Sequence, residues 1–285
     1  MPKVLLAAVW MIGAIFSFMA MALGGRELSS DLSTFQVLFF RSVVGLLIVL
    51  TLVWRRGAGV VRTGRLGLHV GRNLAHFVGQ FGWFFAIASI PLAEVFAIEF
   101  TVPVWAALMS AIFLGERLTL RRLLALALGL SGVLLIASPG VGMFQPAALA
   151  ALMGAVGYAA SHVCTKRLTA TDSPLAILFF MTAVQLPLGL LGSAWQWQPV
   201  QAVHAPWLIV VGVTALTAHY CLAKAFSLAE VAVVLPMDFL RLPLAAALGY
   251  VLYNESFEAL AVAGSLLIIA ANVSSLAPAR RVSEQ

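Results

Sequence analysis

Leu92-Ala93-Glu94-Val95 and Leu228-Ala229-Glu230-Val231 are one four-residue phrase written twice. Downstream of each copy stands an acidic mark, Gly115-Glu116 in the first case and Asn254-Glu255 in the second. An apolar stretch follows each mark, Leu123–Ala137 and Leu260–Ala271. Upstream, Leu38-Phe39-Phe40 answers Leu178-Phe179-Phe180, and Gly13-Ala14 answers Gly154-Ala155. A repeat of half the chain, in a chain this apolar, predicts a transporter built from two related halves.

The composition carries the same message. Apolar residues make up 62% of the chain, charged residues 10%, and the mean hydropathy is +1.03. A soluble domain carries roughly 25% charged residues, so most of this chain does not face water. The fold class read from the sequence is an all-α integral membrane protein of ten transmembrane helices, arranged as two inverted five-helix repeats. The predicted spans are 4–24, 34–54, 68–89, 91–114, 121–138, 147–167, 173–193, 206–228, 230–253 and 257–277. Each approaches the roughly 20 residues needed to cross about 30 Å of hydrocarbon. All are expected to be helical, because an open strand edge in lipid leaves backbone groups unsatisfied. Residues 1–24 resemble a secretory signal, but nine further runs of the same kind make them the first span. Cys164 and Cys221 sit inside apolar segments and are expected to be small buried hydrophobes.

Loop charge sets the expected orientation. With the N-terminus inside, the inner segments carry Lys3, Arg55, Arg56, Arg62, Arg65, Arg117, Arg121, Arg122, Lys166, Arg167, Arg280 and Arg281; the outer loops carry only Arg26. The positive-inside rule then places both termini in the cytoplasm and excludes an odd number of spans. Five spans per repeat is odd, so the second half enters from the opposite side, and the substrate site is expected near the midplane between the halves. The expected division is 1–140 for the first repeat and 141–285 for the second.

Several of these residues also form a recognisable pattern. Arg41 follows Phe39-Phe40 in the second span. Pro91-Leu92-Ala93-Glu94 opens the fourth span, which continues to Pro103 and closes at Gly115-Glu116-Arg117, and a glycine-containing fifth span follows. In these features the chain resembles the drug/metabolite transporter superfamily, in its ten-helix branch with two EamA-type repeats. The second half follows the pattern less closely, with Met181 where Arg41 would stand and Asn254 before Glu255. The resemblance covers nearly the whole chain. It implies export of amino acids, aromatic ones included, or of related amphipathic compounds across a bacterial inner membrane.

Ionisable groups inside a bilayer are costly, so they usually face a partner or a water-filled cavity. On the third span Asn73, His76, Gln80 and Trp83 recur at helical spacing and fall on one stripe, with Arg72 at its edge. This stripe is expected to line the pathway; the alternative is packing glue between helices. Arg41 and Glu99 enter from the same side to similar depths, roughly 10–12 Å at 1.5 Å per residue, and are expected to pair. The ninth span holds Pro236, Asp238, Arg241 and Pro243, with Asp238 and Arg241 on one face. His76, His219, Asp238 and Arg241 are expected to form an inner-half polar cluster. Trp83, Trp105, Phe100 and Phe239 would suit apolar or aromatic cargo, while Arg41, Arg241 or Glu99 would grip its charged ends. His162 and Lys224 are expected near the cytoplasmic surface, and Glu116 and Glu255 in capping roles.

There is no P-loop, HExxH, paired-cysteine motif or GxSxG. No cofactor, metal or catalytic set is expected, nor a nucleic-acid partner: the net charge of +6 reflects anchoring at an anionic lipid surface. The leading expectation is a secondary carrier working by alternating access, with protons a candidate coupling ion through Glu99 and Asp238. The alternatives are an uptake carrier for a nucleoside-like or cofactor-like metabolite, a passive channel, and an integral membrane enzyme using His76, His219 and Asp238. Inverted halves have no obvious use in an enzyme.

Overall fold

The computed structural model describes residues 3–89, 95, 98–137, 146–241, 244, 263–264, 266–267 and 270. Every regular element among them is helical. The long helices are α1 (Lys3–Leu28), α2 (Thr34–Arg56), α3 (Leu66–Ser89), α5 (Leu120–Ala137), α6 (Pro146–Leu168), α7 (Pro174–Ser193) and α8 (Ala205–Leu228). Shorter pieces are α4 (Val102–Leu114), the single turn α9 (Val231–Val234) and a 3₁₀ run, Leu235–Leu240. The repeated phrase at 92–94, together with Pro243, Asn254, Glu255 and most of the tenth span, lies outside the described residues.

Five described segments are long and apolar enough to cross a bilayer: Lys3–Leu28, Thr34–Arg56, Pro146–Leu168, Pro174–Ser193 and Ala202–Leu228. Helix α3 is also long enough, at 24 residues, but Arg72, Asn73, His76 and Gln80 lower its hydropathy. Only shelter inside the bundle makes such a helix tolerable in lipid, and all four of these side chains are buried.

Helix packing follows the repeat. The dominant contacts are α1 on α8, α3 on α6 and α2 on α7. Exchanging each span for its counterpart five spans later turns α1·α8 into α6·α3 and returns α2·α7 to itself. The lesser pairs obey the same exchange: α2·α8 with α7·α3, and α4·α6 with the contact between the 3₁₀ run and α1. The α3·α6 seam is made by small residues. A Cβ on Gly154 would stand 3.0 Å from Gly79 O, and one on Gly157 would stand 2.6 Å from Ala75 O, so only glycine allows this backbone approach.

The turns repeat as well. Ser33 Oγ accepts from Gln36 N at the start of α2, and Ser173 Oγ accepts from Ala176 N at the start of α7. Each start is tied to a loop of the other half: Gln36 exchanges two hydrogen bonds with the Gln198 backbone, and Ser173 Oγ donates to Val60 O.

Spans four and nine depart from regular helix part-way along their lengths. The fourth breaks at Phe100-Thr101, where Thr101 N bonds back to Ile98 O three residues away, and α4 restarts with Pro103 in its first turn. The ninth passes from α9 into 3₁₀ geometry at Leu235-Pro236. Proline has no N–H to give the carbonyl one turn back, so the ladder is interrupted at both places. Gly115 closes α4 in the left-handed conformation (φ 70°), and Glu116 accepts from Val231 N at 3.1 Å, capping the start of the ninth span.

Candidate substrate-binding site

The two interruptions face each other across a small cavity. Glu99 sits at the break of the fourth span, and Asp238 and Arg241 lie on and just beyond the 3₁₀ run. Arg241 Nη2 donates to Glu99 Oε1 at 2.7 Å and to Asp238 Oδ2 at 2.7 Å. Trp83 Nε1 donates to Glu99 Oε2 at 2.7 Å, which brings in the stripe of α3. The Arg241 guanidinium also lies 5.3 Å from the Phe18 ring centre and 5.2 Å from that of Phe100, a cation–π clamp. One guanidinium faces two carboxylates here.

The cavity has a volume of about 40 Å³ and is lined by Gln80, Trp83, Glu99, His219, Asp238 and Arg241 together with Phe18, Phe100, Tyr158 and His162. A water needs roughly 10–15 Å³ of such volume, so the chamber holds a few waters, and a metabolite enters only when its walls move. Gln80 Oε1 and Asp238 Oδ1 are buried without a hydrogen-bond partner among the described residues.

Next to this chamber is a second polar network. His76 packs edge-on against His219, with ring centres 4.5 Å apart, and against Tyr158 at 5.5 Å. Gln185 of α7 bonds His76 Nδ1 at 2.8 Å and takes a hydrogen bond from Arg41 Nη1 at 3.2 Å. Arg72 donates to Asn73 Oδ1 at 2.6 Å and to Thr165 Oγ1 at 3.2 Å.

Asp238 and Arg241 pair as expected, and His76 meets His219. The Arg41–Glu99 pair does not form: Glu99 is held by Arg241 and Trp83, and Arg41 by Gln185. Depth along a helix fixes only the level of a side chain, whereas its rotation about the axis chooses the partner, and Arg41 is turned toward α7. Trp105 is half-buried outside the cavity lining, with Nε1 donating to Thr101 Oγ1 at 3.2 Å. His162 lies deeper than expected, in the cavity wall rather than near the surface. Lys224 Nζ lies 5.8 Å from the Tyr220 ring centre, and both cysteines are free. The close helix seam falls at Gly79, Gly154 and Gly157.

Gln185 was missed, as were Phe18, Tyr158 and Thr165. A signal existed for Gln185. It is the polar residue one turn beyond Met181, the position that answers Arg41, and α2 and α7 run antiparallel.

The chain matches the EamA-like transporter family over residues 5–138 and again over residues 145–276. It belongs to the EamA-like transporter family. Among curated relatives, the riboflavin transporter of Brucella anthropi is 30% identical, covering 83% of this chain and 86% of that one. The pseudopaline exporter of Pseudomonas aeruginosa is 30% identical, covering 90% and 91%. The S-adenosylmethionine uptake transporter of Rickettsia bellii is 24% identical, covering 93% and 91%. A solved crystal structure has the same fold, with a TM-score of 0.80 at 20% identity, covering 98% of this chain and 99% of that one. The family, its relatives and the apolar helices make this chain a multi-pass membrane transporter of small metabolites, not an enzyme.

Proposed function

We propose that this EamA-type protein is an inner-membrane carrier of a small amphipathic metabolite, an amino acid or amino-acid-like compound with an aromatic or heteroaromatic ring. It works by alternating access around the Glu99–Arg241–Asp238 cluster. The observation that carries this reading is the cluster itself: three charges lining one cavity with Phe18, Phe100 and Trp83, at the point where two counterpart spans lose regular helix. Broken half-helices near the midplane supply polar backbone to cargo and let each repeat rock against the other. With both acids ionised, the cluster holds one surplus negative charge. That charge attracts the cationic end of the cargo or a proton, and the rings take its apolar part.

The packing of counterpart helices in exchanged pairs supports a division into repeats 1–140 and 141–285. The basic loops support cytoplasmic termini. Export is the direction implied by the amino-acid reading. Uptake of a cofactor-like metabolite is the second reading, favoured by the names of the riboflavin and S-adenosylmethionine relatives. S-adenosylmethionine joins an amino-acid head to an adenine ring, so it satisfies both chemistries.

The test is counterflow in proteoliposomes holding the full chain. The panel is aromatic amino acids, S-adenosylmethionine and riboflavin, with and without a pH gradient. A carrier gives saturable uptake that accelerates when unlabelled cargo is trapped inside. A non-saturating flux would identify a channel and end the proposal. Glu99→Gln and Asp238→Asn are each expected to lower gradient-driven flux at least tenfold. If both leave it intact, neither acid carries the coupling proton.

A further inference from the structure

Two arginines are buried in the bundle with no carboxylate beside them among the described residues. Arg41 is 3% exposed and Arg72 is 1% exposed. Arg72 at least directs two of its nitrogens to Asn73 and Thr165. Arg41 uses Nη1 alone, on Gln185; its Nε and Nη2 are buried without an acceptor. A guanidinium in a bilayer without a counter-charge is among the least tolerable of groups, and it is normally retained for use.

His76 adds a third donor. A guanidinium offers only donors, so the Gln185 atom facing Arg41 is the carbonyl oxygen and its amide nitrogen faces His76 Nδ1. Nδ1 therefore accepts, and the imidazole proton sits on Nε2, which is buried without a partner. Arg41 Nε and Nη2 and His76 Nε2 are thus buried donors lying together, whereas Gln80 Oε1 and Asp238 Oδ1, in the chamber of Glu99, are buried acceptors. The bundle core has two poles of opposite character.

We infer that Arg41, with His76, forms an anion subsite for a carboxylate group, separate from the Glu99–Arg241–Asp238 cluster. The free N–H groups of Arg41, on Nε and Nη2, share one edge of the guanidinium plane. That edge meets the two oxygens of a carboxylate through parallel hydrogen bonds and fits a spherical ion poorly. The donor pole meets α3 at Asn73 and His76, and the acceptor pole meets it at Gln80 and Trp83. Four residues of helix separate His76 from Gln80 and seven separate it from Trp83, about 6 and 10 Å at 1.5 Å per residue. If the carboxylate belongs to the cargo, which rests on the carrier reading above, a cargo spanning both poles has its cationic and anionic ends about 6–10 Å apart. In a plain α-amino acid these ends are adjacent, so it would fill one pole at a time.

Acetate serves as the probe, titrated into the purified full chain in detergent at constant ionic strength against a bulky sulfonate. Thermal unfolding is followed by intrinsic tryptophan fluorescence. The wild type is expected to show a saturable rise in Tm of about 3 °C or more. Arg41→Gln is expected to lose that rise. Gln185→Glu places a carboxylate beside Arg41 from within; it is expected to raise the acetate-free Tm and abolish the response. A wild type indifferent to acetate overturns the subsite, as does an undiminished response in either folded variant. The source of the anion is read from competition. A carboxamide analogue of a transported substrate that competes as well as its parent assigns the subsite to a free anion; one that fails to compete assigns it to the cargo. Acetate binding is measured without flux, so a chain that moves none of the substrate panel still reports on Arg41. Flux without any acetate response removes only the subsite.

Discussion

His69 with Asp172, and His204 with Asp31, are similar joints built at opposite faces of the membrane. In each, an acid in the turn after the first helix of one repeat receives a hydrogen bond from a histidine at the start of the third helix of the other. The turns match bond for bond: Asp31 N and Leu32 N both reach Leu28 O, and Thr171 N and Asp172 N both reach Leu168 O. The surroundings differ. The His69–Asp172 bond is 2.7 Å long, with side chains 0% and 4% exposed, whereas His204–Asp31 is 3.1 Å, with Asp31 59% exposed. His204 Nδ1 accepts from Gln201 N, so its proton sits on Nε2 and the bond to Asp31 forms with a neutral ring. Asp172 is held below the usual carboxylate range: burial pushes it up, but hydrogen bonds from Thr63, His69 and Thr171 outweigh that. The turn geometry repeats, but the acids stand one place apart within it, Asp31 answering Thr171 and Leu32 answering Asp172, and solvent access decides how much each joint contributes.

The comparison breaks most easily at the dry joint. Asp172→Ala strips a buried histidine and two threonines of their acceptor and is expected to cost about 3 kcal/mol, read as a lowered Tm of the detergent-purified protein. A neutral result would mean that the joint is ornamental and that the loop is held by Ser173 and Val60 alone. Acid is the next lever. The carboxyl of Asp172 is lowered in the folded state, so its contribution is full above its ordinary value of about 4 and is lost as pH falls through the lowered folded-state value. The Tm gap between wild type and Asp172→Asn should therefore close on acidification below about pH 4. The smallest effect belongs to the wet joint. Asp31→Ala is expected to cost less than about 1 kcal/mol, and 1 M salt should change that little, because a neutral ring leaves no ion pair to screen. A loss at Asp31 equal to that at Asp172 would show that exposure is not what separates the two.

Much of the architecture was legible because hydropathy is a one-dimensional signal. The limits of α2, α3, α6, α7 and α8 fall within two residues of those read from the sequence. The stripe Asn73, His76, Gln80 and Trp83 is buried as its spacing required. Pro236 marked where span nine loses its ladder, whereas the break before Pro103 in span four was not read from the sequence. The clasps were missed for a different reason: Asp31 and Asp172 look like ordinary loop acids, and each partner histidine lies more than 100 residues away.

From its sequence alone this chain fixes a lipid-embedded, helical, two-fold repeated fold and the short roster of polar groups that lipid cannot hold. Those follow from transfer free energy and from 3.6-residue periodicity, which act along the chain. Tertiary structure decided who meets whom. It gave Glu99 to Arg241 rather than to Arg41, turned Arg41 to Gln185, and placed His162 in the cavity wall. Such choices depend on the rotation of each helix about its axis and on which helix lies beside it. Neither is set by the chain's own local periodicity.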